Sequence, residues 1–123
     1  MCLRIDDAAS THDRAAAKAP ITVMLPVLNE EQNLPAALAS VAWADQVIVV
    51  DSHSTDRTVA VARGAGAEVV QFSYGGSGPK KKGWALTNAP IRNEWLLILD
   101  GDERVTDELR AEIEDAVRRG DIW

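Results

Sequence analysis

The stretch WLLILDGDE, residues 95–103, decides how this chain is read. A strand-length apolar run stops on Asp100 and Asp102, with Gly101 between them and Glu103 directly behind. Folding alone does not ask for acids at the end of an apolar strand. They could be ordinary turn and cap residues, because Asp favours turns. They could equally be ligands, because residues two apart in extended backbone point the same way. The glycine between them permits a tight turn and lets a ligand come close.

Working outward, three more apolar runs of strand length precede this one: ITVMLPV at 21–27, QVIVVD at 46–51 and AEVVQF at 67–72. Helical patterns separate them. Leu34, Leu38 and Val41 fall on one helix face, with Pro35 confined to the first turn. A second helix follows residue 51, with Ser54 as its expected N-cap and Gly64 or Gly66 as its stop. YGGSGP at 74–79 reads as a loop, and the segment from Lys80 as a helix weakened by Gly83. A last helix is predicted from Thr106 to Arg119, with Leu109, Ile113, Ala116 and Val117 facing the core and Gly120 past its end. The strands are apolar on both faces, which marks a buried parallel sheet. The fold class is therefore α/β: an open, mostly parallel sheet with flanking helices.

A chain of 123 residues suffices for one modest domain with a feasible core. Hydrophobic content of 46%, charged content of 26% and a net charge of −6 fit a globular chain and argue against a general nucleic-acid binder. The single cysteine, Cys2, cannot form an internal disulfide or anchor a metal cluster. No apolar run approaches the roughly 20 residues of a membrane span, and the N-terminus lacks a signal-peptide core. A cytoplasmic location is the expectation, with contact at the inner face of a membrane left open. Residues 1–19 are Ala-rich and charged and read as a flexible tail; residues 20–123 read as the structured part.

In open parallel sheets, ligands bind beyond the carboxyl ends of the strands. Asn29 and Glu30 follow the first run, Asp51 ends the second, and Asp100 and Asp102 end the fourth. Acids gathered at one edge repel one another, and a divalent cation would compensate them. Mg²⁺ or Mn²⁺ prefers oxygen ligands and often binds through one or two carboxylates plus substrate phosphates. Neither a dinucleotide-binding glycine fingerprint nor a P-loop follows the first strand. GGSGPKKK combines glycines with lysines and is open to two readings, a phosphate-facing loop or a solvated face. Trp43, Trp84 and Trp95 are simplest as packing residues, and His53 as an exposed loop residue.

Taken together, PVLNEE at 26–31, VIVVDSHSTDRT at 47–58 and LLILDGDER at 96–104 resemble the family 2 glycosyltransferases of GT-A fold. The stretch from Phe72 to Leu86, with the DGDERV that follows, looks most like the bacterial branch that glycosylates the lipopolysaccharide core. The resemblance covers roughly residues 21–119. It implies an inverting transfer of sugar from a nucleotide-diphosphate donor to a glycan or lipid-linked acceptor. Pro26, Glu30 and Asp51 would line the nucleotide pocket, with Asp51 accepting a hydrogen bond from the base. Lys82, also expected at the donor nucleotide, falls near a basic position that precedes a helix in many members, Asp100 would sit near the ribose, and Asp102 would bind Mg²⁺ or Mn²⁺ on the diphosphate. Gly83 departs from the Asn often found there, and the lysine triplet is longer than usual. The family's acceptor half and its catalytic base are expected beyond Trp123, so the base is unassigned. Two other functions are consistent with this chain: a sugar nucleotidyltransferase, and a non-catalytic nucleotide-binding remnant.

Overall fold

A computed structural model describes residues 2–4, 18–73 and 80–120. The elements run β1 (Cys2–Arg4), β2 (Ala19–Val27), α1 (Leu34–Ala39), β3 (Ala44–Asp51), α2 (Thr58–Gly64), β4 (Glu68–Gln71), α3 (Lys81–Asn88), β5 (Trp95–Ile98) and α4 (Asp107–Arg119). They build one sheet in the order β1-β5-β2-β3-β4. The β2–β3, β2–β5 and β3–β4 pairs are parallel, and β1 runs antiparallel to β5. The expected open, mostly parallel α/β sheet is therefore the observed one.

The period-2 geometry of the strands sorts the core into two layers. Ile21, Val23, Leu25 and Val27 of β2 join Val49 and Leu97 on one face, beneath Leu34 and Leu38 of α1, Ala62 of α2 and Ile113 of α4. Met24, Ile48, Val50 and Leu96 form the opposite face, covered by Phe72 and by Ala85 of α3. Burial on both faces explains why these strands read as near-continuous apolar runs.

Pro26 sits inside a central strand, where a residue without an N–H is normally excluded. Met24 accepts from the Leu99 amide, so β2 faces β5 at Met24 and again two residues on, at Pro26. The last β2–β5 partner pair is Met24 with Ile98. Pro26 thus turns its donor-less nitrogen toward the β5 side beyond the last ladder pair, where no strand hydrogen bond has to be made.

Several expectations change in detail. Cys2–Arg4, inside the segment expected to be a flexible tail, form the edge strand on β5. The second helix starts at Thr58, not after Ser54: Ser54 is engaged elsewhere, Arg57 stands at the N-cap position without a side-chain cap bond, and Asp56 Oδ1, one residue earlier, accepts from the Thr58 amide at 2.9 Å. The Gly83 helix forms over Lys81–Asn88. Thr106 caps α4 by accepting from Leu109 at 3.1 Å, and Gly120 closes it with φ of 77°. The predicted loop at 74–79 lies outside the described residues.

On the amino side of the sheet, a buried polar network ties the α3–β5 connection down. Thr22 donates to Gln46 Oε1 at 2.7 Å, Asn93 donates to Thr22 at 3.1 Å, and Gln46 donates to the Pro90 carbonyl at 2.8 Å. The Arg92 amide donates to Gln46 Oε1 at 2.8 Å. These bonds satisfy the buried polar groups and fix where β5 enters the sheet.

Candidate donor-binding site

The carboxyl edge of β2, β3 and β5 gathers the acids that the sequence singled out. Two loops are laced together there. The Asn29 amide donates to Ser54 Oγ at 2.8 Å, Glu30 to Thr58 Oγ1 at 2.9 Å, and Glu31 to Asp56 Oδ2 at 3.2 Å. The Thr55 amide returns a bond to Asn29 Oδ1 at 2.9 Å. Asn29 and His53 adopt left-handed backbone, with φ of 51° and 53°. Asn tolerates that conformation better than most side chains. The SHSTD segment is therefore mainly a lattice that holds the β2–α1 loop in place, and Ser54 belongs to it.

Asp51 ends β3 with its side chain fully buried. Its Oδ1 accepts from Ser54 Oγ at 2.5 Å. Its Oδ2 accepts from the Ser54 amide at 3.0 Å and from Gln71 Nε2 at 2.9 Å. Burial pushes its pKa up, but the Ser54 and Gln71 bonds and the nearby Lys81 charge outweigh that and hold it below the ordinary carboxylate value. Asp51 is thus an ionised, buried anchor. A carboxylate accepts about four hydrogen bonds, so little of its capacity is left over. Asp56 is also held below the ordinary value, chiefly by the Thr58 hydroxyl.

Glu30 is half-buried, and its Oε2 accepts from Asn33 at 3.1 Å. Gly101 packs directly on it. A Cβ at Gly101 would stand 3.2 Å from Glu30 Cγ and 2.8 Å from Val27 Cγ1. The glycine is therefore required by close approach of the chain to itself, where the sequence suggested close approach of a ligand. That contact sets the DGD turn against the β2–α1 loop. Asp100 and Glu103 close the turn: the Asp100 amide donates to Glu103 Oε1 at 2.9 Å, and the Glu103 amide to the Asp100 carbonyl at 3.0 Å. Glu103 is a turn residue here.

The lysines divide the work. Lys82 pairs with Asp100 at 3.7 Å, both side chains more than half exposed. Lys81 turns inward and donates to the Val27 carbonyl at the end of β2. Burial lowers its pKa, and Asp51 opposes that shift. The inward role of Lys81 was missed because three consecutive lysines carry no signal of which one faces the sheet. His53 is exposed, as expected, with Nε2 2.6 Å from Ser73 Oγ.

Among the described residues, no group of three or more His, Cys, Asp or Glu side chains stands close enough to hold a metal ion by itself. Asp102 is exposed at the tip of the turn and has no hydrogen-bond or ion-pair partner among the described residues. A single hard oxygen donor of this kind suits an Mg²⁺ or Mn²⁺ ion whose remaining ligands come from phosphates and water. The residues present therefore fit a shared metal and do not fit a self-contained metal centre. Among the described residues, no helix is long and apolar enough to cross a membrane.

An uncharacterised glycosyltransferase of Rickettsia bellii is 39% identical over 95 residues, covering 76% of this chain and 31% of that protein. One from Mycobacterium tuberculosis is 52% identical over 50 residues, covering 41% of this chain and 23% of that protein. The structure of Staphylococcus aureus TarS 1–349 in complex with UDP superposes with a TM-score of 0.62 at 25% identity, over 80% of this chain and 32% of that one. Glucosyl-3-phosphoglycerate synthase of Mycobacterium tuberculosis, solved with Mn²⁺, UDP and glucosyl-3-phosphoglycerate, gives 0.55 at 26% identity, over 70% of this chain and 36% of that one. The chain spans about a quarter to a third of the length of the curated relatives it matches. These names do not single out the lipopolysaccharide branch. The family model for Glycosyl transferase family 2 matches residues 22–121, from within β2 through α4, and the chain belongs to that family.

Proposed function

We propose that this chain is the donor-binding part of an inverting glycosyltransferase that uses a nucleotide-diphosphate sugar. The observation that carries the reading is the packing of Gly101 on Glu30 and Val27, which brings the DGD turn beside the loop that Asp51 anchors. Asp51 and the end of β2 at Pro26 form the base side of the pocket. Glu30 forms its floor, Asp100 meets the ribose, and Lys82 meets the phosphates. Asp102 holds Mg²⁺ or Mn²⁺ on the diphosphate. When bound, that ion offsets the charge that builds on the departing nucleotide. Solved relatives bound to UDP, one of them with Mn²⁺, support this assignment.

The acceptor we propose is a glycan or a lipid-linked sugar, met in the cytoplasm or at the inner face of a membrane. The lipopolysaccharide core is the candidate suggested by the stretch from Phe72 to Leu86 and by DGDERV at 100–105. The base that deprotonates the acceptor hydroxyl belongs to the acceptor-binding part of such enzymes and is not assigned to any residue of this chain.

Calorimetric titration of UDP, with and without Mn²⁺, tests the reading. Metal-dependent binding that disappears in a folded Asp102→Ala variant is the expected result. Retained Mn²⁺-dependent binding in that variant, or no binding of any nucleoside diphosphate to the folded chain, overturns it.

A further inference from the structure

Gln71 ends β4 directly opposite Asp51 in the β3–β4 register. Partners in a parallel pair point to the same face, so the carboxamide lies against the carboxylate. Its Nε2 donates to Asp51 Oδ2 at 2.9 Å, and its Oε1 accepts from the His53 amide at 2.9 Å. These partners fix the orientation of the amide. Reversing it would set oxygen against carboxylate and NH₂ against N–H.

Gln71 is exposed, whereas Asp51 is fully buried. The other two bonds to Asp51 come from Ser54, within its own loop. The bond from Gln71 is the one made by a solvent-facing side chain from another strand. The left-handed backbone at His53 belongs to the turn whose N–H Gln71 accepts. An acceptor and a donor therefore sit side by side under a solvent-exposed side chain. A planar amide covers both. The hydrogen-bonding edge of a nucleobase offers the same planar pairing of an N–H with an adjacent acceptor.

We propose that the Gln71 carboxamide is a placeholder for the donor's base, occupying Asp51 and the His53 N–H until the base takes both over. The inference rests on the donor-site reading above. The exchange trades like for like: two hydrogen bonds to a glutamine become two to a base, and the freed glutamine is solvated. The buried carboxylate keeps a donor in both states, which spares it the penalty of an unpaired buried charge. Gln71 is then a positioning residue that sets nucleotide affinity without contributing to the bound state.

Gln71→Ala and Gln71→Thr are the variants to make, the second because it preserves strand preference while being too short to span both partners. Affinities for UDP and for pyrophosphate, the latter read by competition against UDP, are measured with Mn²⁺ by calorimetry. The expected result is UDP binding tightened by roughly two- to tenfold in both variants, since the competing bonds are gone. Pyrophosphate binding, which involves no base, stays unchanged. Unchanged or weakened UDP binding with pyrophosphate unaffected overturns the inference, because Gln71 would then be idle or a direct base contact. A parallel loss for both ligands makes Gln71 a structural brace and also overturns it. If wild-type chain binds no nucleoside diphosphate, the donor-site reading itself has failed and takes this inference with it.

Discussion

Gly101 leaves no room for a side chain against Glu30: a Cβ there would come within 3.2 Å of Glu30 Cγ, and within 2.8 Å of Val27 Cγ1 behind it. The DGD turn and the β2–α1 loop are therefore one packed unit. Val27 is β-branched and buried in the core, so it cannot swing away as a flexible side chain would. In Gly101→Ala the turn must lift off its support. We expect a loss of about 1–3 kcal/mol in chemical denaturation, the usual range for overpacking, and weaker Mn²⁺-dependent UDP binding by calorimetry. An unchanged stability would mean the loop absorbs the methyl group.

Lys82 and Asp100 make an ion pair between exposed side chains, at 3.7 Å. Such pairs contribute about 0–1 kcal/mol. Lys82→Met should leave the denaturation midpoint nearly unchanged while lowering UDP affinity in the presence of Mn²⁺. A large stability loss with unaltered affinity would assign Lys82 to structure instead.

Asp51 and Asp56 both have folded-state pKa values below the ordinary one. For a lowered carboxylate, the stabilisation is present above the unfolded value, about 4, and is lost as pH falls through the lower folded value. Acidification below about pH 4 should therefore destabilise the chain. It should do so first at the laced loops, where both carboxylates accept their bonds. Hydrogen exchange at the Asn29, Glu30 and Glu31 amides, followed by NMR from pH 6 downward, reads this directly. Asp51→Asn should flatten the stability decline over that acid range and lower stability at pH 7, because Ser54 and Gln71 then meet a weaker acceptor.

Gln46 is the centre of the buried network on the amino side of the sheet. Gln46→Leu removes the acceptor shared by Thr22 and the Arg92 amide, and the donor to the Pro90 carbonyl. Each orphaned buried group costs about 1–3 kcal/mol. The variant should lose at least about that much in denaturant titration, and the 90–93 connection should exchange its amides faster. Thr22→Val should cost less, since Asn93 keeps its bond to Asp45 and Gln46 keeps the Arg92 amide.

The sequence by itself determined the four parallel strands, the helices between them and the acids at the carboxyl edge. Uninterrupted β-branched runs such as VIVV at 47–50 can be buried on both faces only in a helix-covered sheet. The i, i+4 spacing of Leu109 and Ile113 fixes a helix face wherever the helix is placed. Local signals failed where a residue answers to a distant partner. Ser54 reads as a helix cap, but Asp51 and Asn29 claim it across the loops. Gly101 reads as a ligand-facing glycine, but Val27 and Glu30, more than 70 positions earlier, occupy that space. Nothing in KKK distinguishes Lys81, which faces the end of β2, from Lys82, which faces Asp100. Gln71 gave no signal at all, because its role comes from the β3–β4 register opposite Asp51. Periodicity and propensity are local and survive in the sequence. Hydrogen-bond partners and steric limits between strand ends exist only once the sheet has brought those ends together.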